Sequence, residues 1–147
     1  MHRPRAFLDR REVERLVTKP VLLDTHVLHW WTAEPAKLSR PASDAVTEAY
    51  ELAVSAISFY ELAWLAKHER IVLSIPVRTW LEEIARDIRT VAITPAIADT
   101  AASLPSTFTG DPADRLIYAT AIECGWRLVT KDRRLRDHRH TRPITIW

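Results

Sequence analysis

Short runs of Val, Ile and Leu recur along this 147-residue chain, each ending near a polar residue and followed by a segment of helical spacing. That alternation restricts the available folds more than any other feature of the sequence. The runs are Val21-Leu22-Leu23, Leu52-Ala53-Val54, Val91-Ala92-Ile93 and Leu128-Val129, and Ile144-Thr145-Ile146 closes the chain. Between them, Ser58 to Arg70, Val77 to Arg89, Pro95 to Leu104 and Pro112 to Glu123 place apolar residues three and four apart, as one buried helix face requires. Pro41, Pro76 and Pro95 suit helix starts, because proline fits a first turn but not an interior, and Pro105 opens a loop that runs to Gly110. Antiparallel hairpins would need turn glycines, and Gly110 and Gly125 are the only two present. The expectation is an α/β three-layer sandwich of about five mainly parallel strands, with helices on both faces.

The same shortage of glycine excludes a dinucleotide-binding G-x-G-x-x-G turn and a phosphate-binding P-loop. Cys124 is the sole cysteine, so intramolecular disulfides and multi-cysteine zinc sites are excluded and a reducing, cytoplasmic setting is expected. Charges interrupt every apolar run before it reaches membrane-spanning length, and the first residues lack the apolar core of a signal peptide. Residues 20–147 read as one domain and residues 1–19 as an N-terminal extension. Charge is unevenly spread. Residues 1–19 carry six basic against three acidic residues, 20–126 eight against fourteen, and 127–142 seven against two. Basic ends around an acidic body fit a nucleic-acid binder, and a solvated surface is the alternative.

In a parallel sheet, ligands bind beyond the carboxyl ends of the strands. Acids stand at four such places: Asp24 after the first run, Glu61 after the second, Asp111 and Asp114 at the start of the helix before the fourth, and Asp132 after it. Each has a local structural account. Ser58-x-x-Glu61 matches a capping box, Asp111-Pro112-Ala113-Asp114 is a good helix start, and Asp24 and Asp132 suit caps of the turns that follow them. Gathered at one edge, however, these carboxylates repel one another and need a cation between them. Oxygen ligands without cysteine or a histidine cluster suit Mg²⁺, or Mn²⁺, and such sites act on phosphates, so metal-assisted phosphodiester hydrolysis is expected.

Four segments, in this order and spacing, resemble the PIN-domain ribonucleases, specifically the VapC-type toxins of bacterial type II toxin-antitoxin pairs. They are Leu22-Leu23-Asp24-Thr25-His26, Ser55-Ala56-Ile57-Ser58-Phe59-Tyr60-Glu61, Gly110-Asp111-Pro112-Ala113-Asp114-Arg115-Leu116-Ile117 and Leu128-Val129-Thr130-Lys131-Asp132. The resemblance runs from about Val21 to Trp147. It implies a PIN fold, Mg²⁺-dependent endoribonuclease activity, a cytoplasmic location, a homodimer and a cognate VapB-like antitoxin. Carried over by position, it makes Asp24, Asp114 and Asp132 metal ligands, with Glu61 binding metal or orienting water and Asp111 a secondary acid. Thr25 and Thr130 supply hydroxyls to water or phosphate, or else satisfy nearby backbone groups. Arg115, Lys131, Arg133 and Arg134 hold RNA phosphates or form a solvated face. The rival reading is a non-catalytic nucleic-acid or protein-binding module on the same fold. A phosphoacceptor domain or an Asp-x-Asp phosphatase fits poorly, because Thr25 and His26 follow Asp24.

Overall fold

Neighbouring residues of a strand face opposite ways, so a strand covered on both sides must be apolar at every position. A computed structural model, which describes residues 19–147, shows this directly. β1 (Val21–Leu23), β2 (Leu52–Ser55), β3 (Arg89–Val91), β4 (Arg127–Val129) and β5 (Thr145–Ile146) form one parallel sheet in the order β3-β2-β1-β4-β5. Leu22, Ala53 and Leu128 are in register and pack into one core, whereas Leu23, Val54 and Val129, one residue on, pack into the other. The expected α/β sandwich is therefore present. Apart from Lys19, the N-terminal extension lies outside the described residues.

On the Leu23 side lie α1 (Thr25–Ala33), α2 (Arg40–Glu48), α3 (Ala56–Lys67) and α4 (Val77–Asp87), which contribute Val27, Val46, Leu62 and Ile84. The Leu22 side is covered by α6 (Pro112–Cys124), through Ile117, Tyr118 and Ala121, and by Leu135 of the single-turn α7 (Arg133–Arg136). α5 (Pro95–Ser103) packs on α6, burying Ile97 and Ala101 against Ala119. Among the described residues no helix is long and apolar enough to cross a membrane. α6 ends at Gly125, whose φ of 70° is the left-handed conformation that closes a helix and that a side chain would strain.

Two expectations are corrected. The third strand is Arg89–Val91 rather than Val91–Ile93, because Arg89, Thr90 and Val91 pair with Ala53, Val54 and Ser55. An edge strand does not need two apolar faces, so the Val-Ala-Ile run is a poor guide to its position. The capping box at Ser58 does not form. α3 starts at Ala56, and Ser55 is its cap, its Oγ accepting the Ile57 amide at 3.3 Å. Ser58 is buried inside the helix and Glu61 lies in the second turn, where it does not return to a Ser58 amide.

Candidate active site

The parallel sheet turns the carboxyl ends of β1, β2 and β4 to one edge, and the acids gather there. Asp24, Glu61, Asp111, Asp114 and Asp132 line a single cleft of about 300 Å³, together with His26, Trp30, Lys131 and Arg134. Three of the five also cap helices. Asp24 Oδ1 accepts the Thr25 amide at 2.8 Å, Asp111 Oδ1 accepts the Ala113 amide at 2.8 Å, and Asp132 Oδ1 accepts the Arg134 amide at 2.9 Å. Capping and cleft-lining coexist because a carboxylate has two oxygens and about four acceptor sites.

Hydroxyls fix the inner acids. Thr130 Oγ1 donates to Asp24 Oδ2 at 2.6 Å and accepts the Asp132 amide at 3.1 Å, so one threonine sets two acids. Thr25 Oγ1 lies 2.6 Å from Glu61 Oε1 and 2.9 Å from Ser58 Oγ. A hydroxyl has one proton, so Thr25 donates to the carboxylate and receives the Ser58 proton. Both threonines are buried, which gives them the role of orienting carboxylates from within. Ser58 belongs to this network as well. Sequence reasoning read it only as a cap, because its partner Thr25 is distant along the chain.

Burial and mutual repulsion set the electrostatics. Asp24 is 7% exposed, and loss of water raises its pKa against the opposing bonds from Thr130 and Thr25. Burial also raises Glu61, despite its bond from Thr25. Asp114, 8% exposed, is pushed up to about 7 by burial and then by the charges of Asp111 and Asp24. Asp132 moves the other way, because Arg134 holds it by hydrogen bond and charge. The Arg134 guanidinium bridges two acids, with Nη2 2.6 Å from Asp132 Oδ2 and 3.0 Å from Asp114 Oδ2. Among the described residues no three acid, histidine or cysteine side chains are drawn together tightly enough to ligate one ion as they stand. Arg134 supplies the positive charge between Asp114 and Asp132.

The remaining predicted contacts divide. Lys131 lines the cleft, with its Nζ 5.7 Å from the Trp30 ring centroid. Arg133 is exposed at the start of α7 and does not line the cleft. Arg115 is turned away from it. Its Nε donates to Thr109 O at 2.9 Å, its Nη1 to Ala101 and Leu104 carbonyls at 3.0 Å each, and its Nη2 to Pro105 O at 3.0 Å. Four carbonyls thus fix this guanidinium, which pins the loop before α6. Thr109 in that loop is a further residue missed from sequence: its hydroxyl accepts the Asp111 amide at 3.2 Å and lies 3.4 Å from Asp114 Oδ2.

The PIN domain family model matches residues 21–140. Ribonuclease VapC22 of Mycobacterium tuberculosis is 68% identical over 127 residues, which cover 86% of this chain and 98% of that protein. Among solved structures, VapBC2 from Rickettsia felis bound to a DNA fragment from their promoter matches with a TM-score of 0.62 at 14% identity, over 86% of this chain and 97% of that one. VapBC-1 from nontypeable Haemophilus influenzae matches with a TM-score of 0.57 at 16% identity, over 81% and 94%. At such identities the solved structures speak to the fold alone.

Proposed function

The chain belongs to the PIN domain family, and from that membership and its converging carboxylates we propose that it is a metal-dependent endoribonuclease, the toxin of a toxin-antitoxin pair. Its substrate is RNA, its place is the cytoplasm, and a cognate VapB-like antitoxin neutralises it. The observation that carries this reading is the set of five acids from four separate parts of the chain facing one cleft. Structural capping accounts for Asp24, Asp111 and Asp132. It does not account for Glu61 and Asp114, whose burial raises their pKa values and costs the metal-free fold stability.

PIN-domain ribonucleases generally depend on a divalent metal, and the donors here fit a hard cation such as Mg²⁺ or Mn²⁺. All five are carboxylates, three of them with raised pKa values, and Arg134 already sits where a positive charge is favourable. Asp24, Asp114 and Asp132 would hold the ion, with Asp111 as a secondary acid. When bound, it lowers the pKa of water and offsets charge on the phosphate. The chain's residues do the rest. Asp24 is fixed by Thr130 and Glu61 by Thr25, so neither needs to reorganise during reaction. Glu61 or Asp132 orients the attacking water and takes its proton as the oxygen bonds to phosphorus. The bond to the 3′-oxygen breaks in line, and that oxygen leaves with a proton from solvent, giving 5′-phosphate and 3′-hydroxyl ends.

Two surfaces support protein partners. Beside the cleft, and sharing His26, Glu61 and Asp111 with it, a groove of about 430 Å³ presents Tyr60 and Trp64, which are 67% and 44% exposed. An antitoxin helix that covers this groove would carry an Arg or Lys into the acids and displace the metal by charge-assisted bonds. A second apolar groove between α3 and α4, with Phe59, Val77 and Leu81, suits the homodimer. The test is cleavage of total RNA by the purified, antitoxin-free chain, with Mg²⁺ and with EDTA, beside an Asp24→Asn and Asp114→Asn double variant. Cleavage seen only in the wild type with metal supports the proposal. RNA binding without cleavage in both proteins would transfer the function to a non-catalytic binding module.

A further inference from the structure

The acid cleft poses a difficulty for any polyanionic substrate, because its carboxylates repel the strand that the chemistry needs. Lys131 and Arg134 offset part of that charge within the cleft, and further affinity must come from cations outside it. Residues 127–142 carry seven Lys or Arg against two Asp, and among the described residues Arg134 is the only one of the seven in an ion pair. Arg142 is held by the carbonyls of Ala121 at 2.8 Å and Trp126 at 3.3 Å, and Arg127 by those of Thr145 at 2.7 Å and Ile144 at 3.3 Å. Carbonyls aim a guanidinium without cancelling its charge.

Three of these arginines form a wall together with two histidines. Arg136, His138, Arg139, His140 and Arg142 line a cavity of about 390 Å³ with Tyr118 beneath them. The loop that carries them is rooted in the core rather than loose. His138 meets Phe108 edge-on at 5.0 Å between ring centroids and Tyr118 at 5.4 Å, and both partners are buried. Burial lowers the His138 pKa, so the arginines carry the charge at neutral pH. α7 joins this cavity to the acid cleft. Asp132 and Arg134 line the cleft, and Arg136, four residues or about one helical turn after Asp132, lines the cavity.

We infer that the basic cavity around Arg136, Arg139 and Arg142 is a second phosphate-binding site, which holds the RNA strand about one helical turn away from the acids. The site deepens the ribonuclease reading and rests on it. A strand anchored there by its backbone crosses α7 past the exposed Arg133 and reaches the cleft at Lys131, so cations follow its phosphates in sequence. Such contacts fix position and register, leaving base readout to other parts of the surface.

The experiment is fluorescence anisotropy of a short labelled single-stranded RNA with the full chain in EDTA, across a KCl series. The wild type is compared with an Arg136→Ala and Arg139→Ala double variant, and an Arg40→Ala and Arg86→Ala pair, exposed on α2 and α4, serves as control. Loss of two phosphate contacts should flatten the salt dependence of log K by about 1.4 and weaken binding about tenfold near physiological salt. The control pair should match the wild type. Arg136 and Arg139 are exposed, so both proteins should melt together; if they do not, Arg139→Glu alone makes the same test. A double variant with the wild-type slope and Kd overturns this inference alone. Failure of the wild type to bind RNA at all overturns the RNA reading with it. Loss of poly-glutamate binding with RNA binding intact assigns the cavity to an acidic protein segment instead.

Discussion

The acid cleft and the basic cavity lie at the two ends of α7 and are built in opposite ways. In the cleft, Asp24 and Asp114 are almost fully buried, and Thr130, Thr109 and Thr25 hold the acids from beneath. In the cavity, Arg136 and Arg139 are exposed and their charges are uncompensated among the described residues. Chemistry needs atoms fixed in position, and a buried hydrogen-bond network supplies that at a cost in electrostatic repulsion. Holding a strand needs only charge at roughly the right spacing, which solvated arginines provide cheaply. Each region's burial follows from its task.

The largest effect is expected at the acids. Asp114→Asn should lower RNA cleavage by about 10²-fold or more, while raising the melting temperature of the metal-free protein, because a raised pKa marks a charge the fold disfavours. A drop in both would mean that Asp114 is structural. Next is Arg115→Ala, which frees four carbonyls in the 101–109 segment and should cost roughly 2–3 kcal/mol in chemical denaturation. It should leave the salt dependence of RNA binding unchanged, unlike the arginines of the cavity. Smallest is Arg134→Gln. Arg134 is 61% exposed at its side chain, so its ion pairs are worth about 1 kcal/mol or less, and removing this competing cation should tighten Mg²⁺ binding in calorimetry by up to about fivefold.

Legibility in the sequence followed how local each cause was. The strand at Val21–Leu23 and the helix from Pro112 could be read directly, since two buried faces demand a continuous apolar run and Asp111-Pro112 marks a helix start. The acids were legible for the same reason: a parallel sheet sends every strand end to one edge, whatever the loops do. The start of α3 was not. Ser55 and Ser58 are both competent caps, and the choice falls to Ser55 because its backbone ends the pairing of β2 with Val91. The role of Arg115 is not legible locally, because its partners lie 6 to 14 residues earlier, along a loop path that no local pattern encodes. Its place beside Lys131 and Arg133 groups Arg134 with phosphate-holding cations, and only the fold shows it bridging Asp114 and Asp132.

If the buried carboxylates act together as a cation site, Mg²⁺-induced stabilisation must differ between two pH values. Asp114, pushed up to about 7, keeps its proton in the folded state over a range where the unfolded chain has lost it. Metal-free stability should therefore fall as pH rises from about 4 towards 7, the sign expected for a carboxyl whose folded pKa lies above its unfolded one. Mg²⁺ binds the ionised form, so its affinity should be about tenfold higher at pH 8 than at pH 6. Added Mg²⁺ should then raise the melting temperature strongly at pH 8, weakly at pH 6, and not at all in the Asp24→Asn and Asp114→Asn double variant. Equal stabilisation at both pH values, or stabilisation retained in the variant, would show that these carboxylates are not a shared cation site.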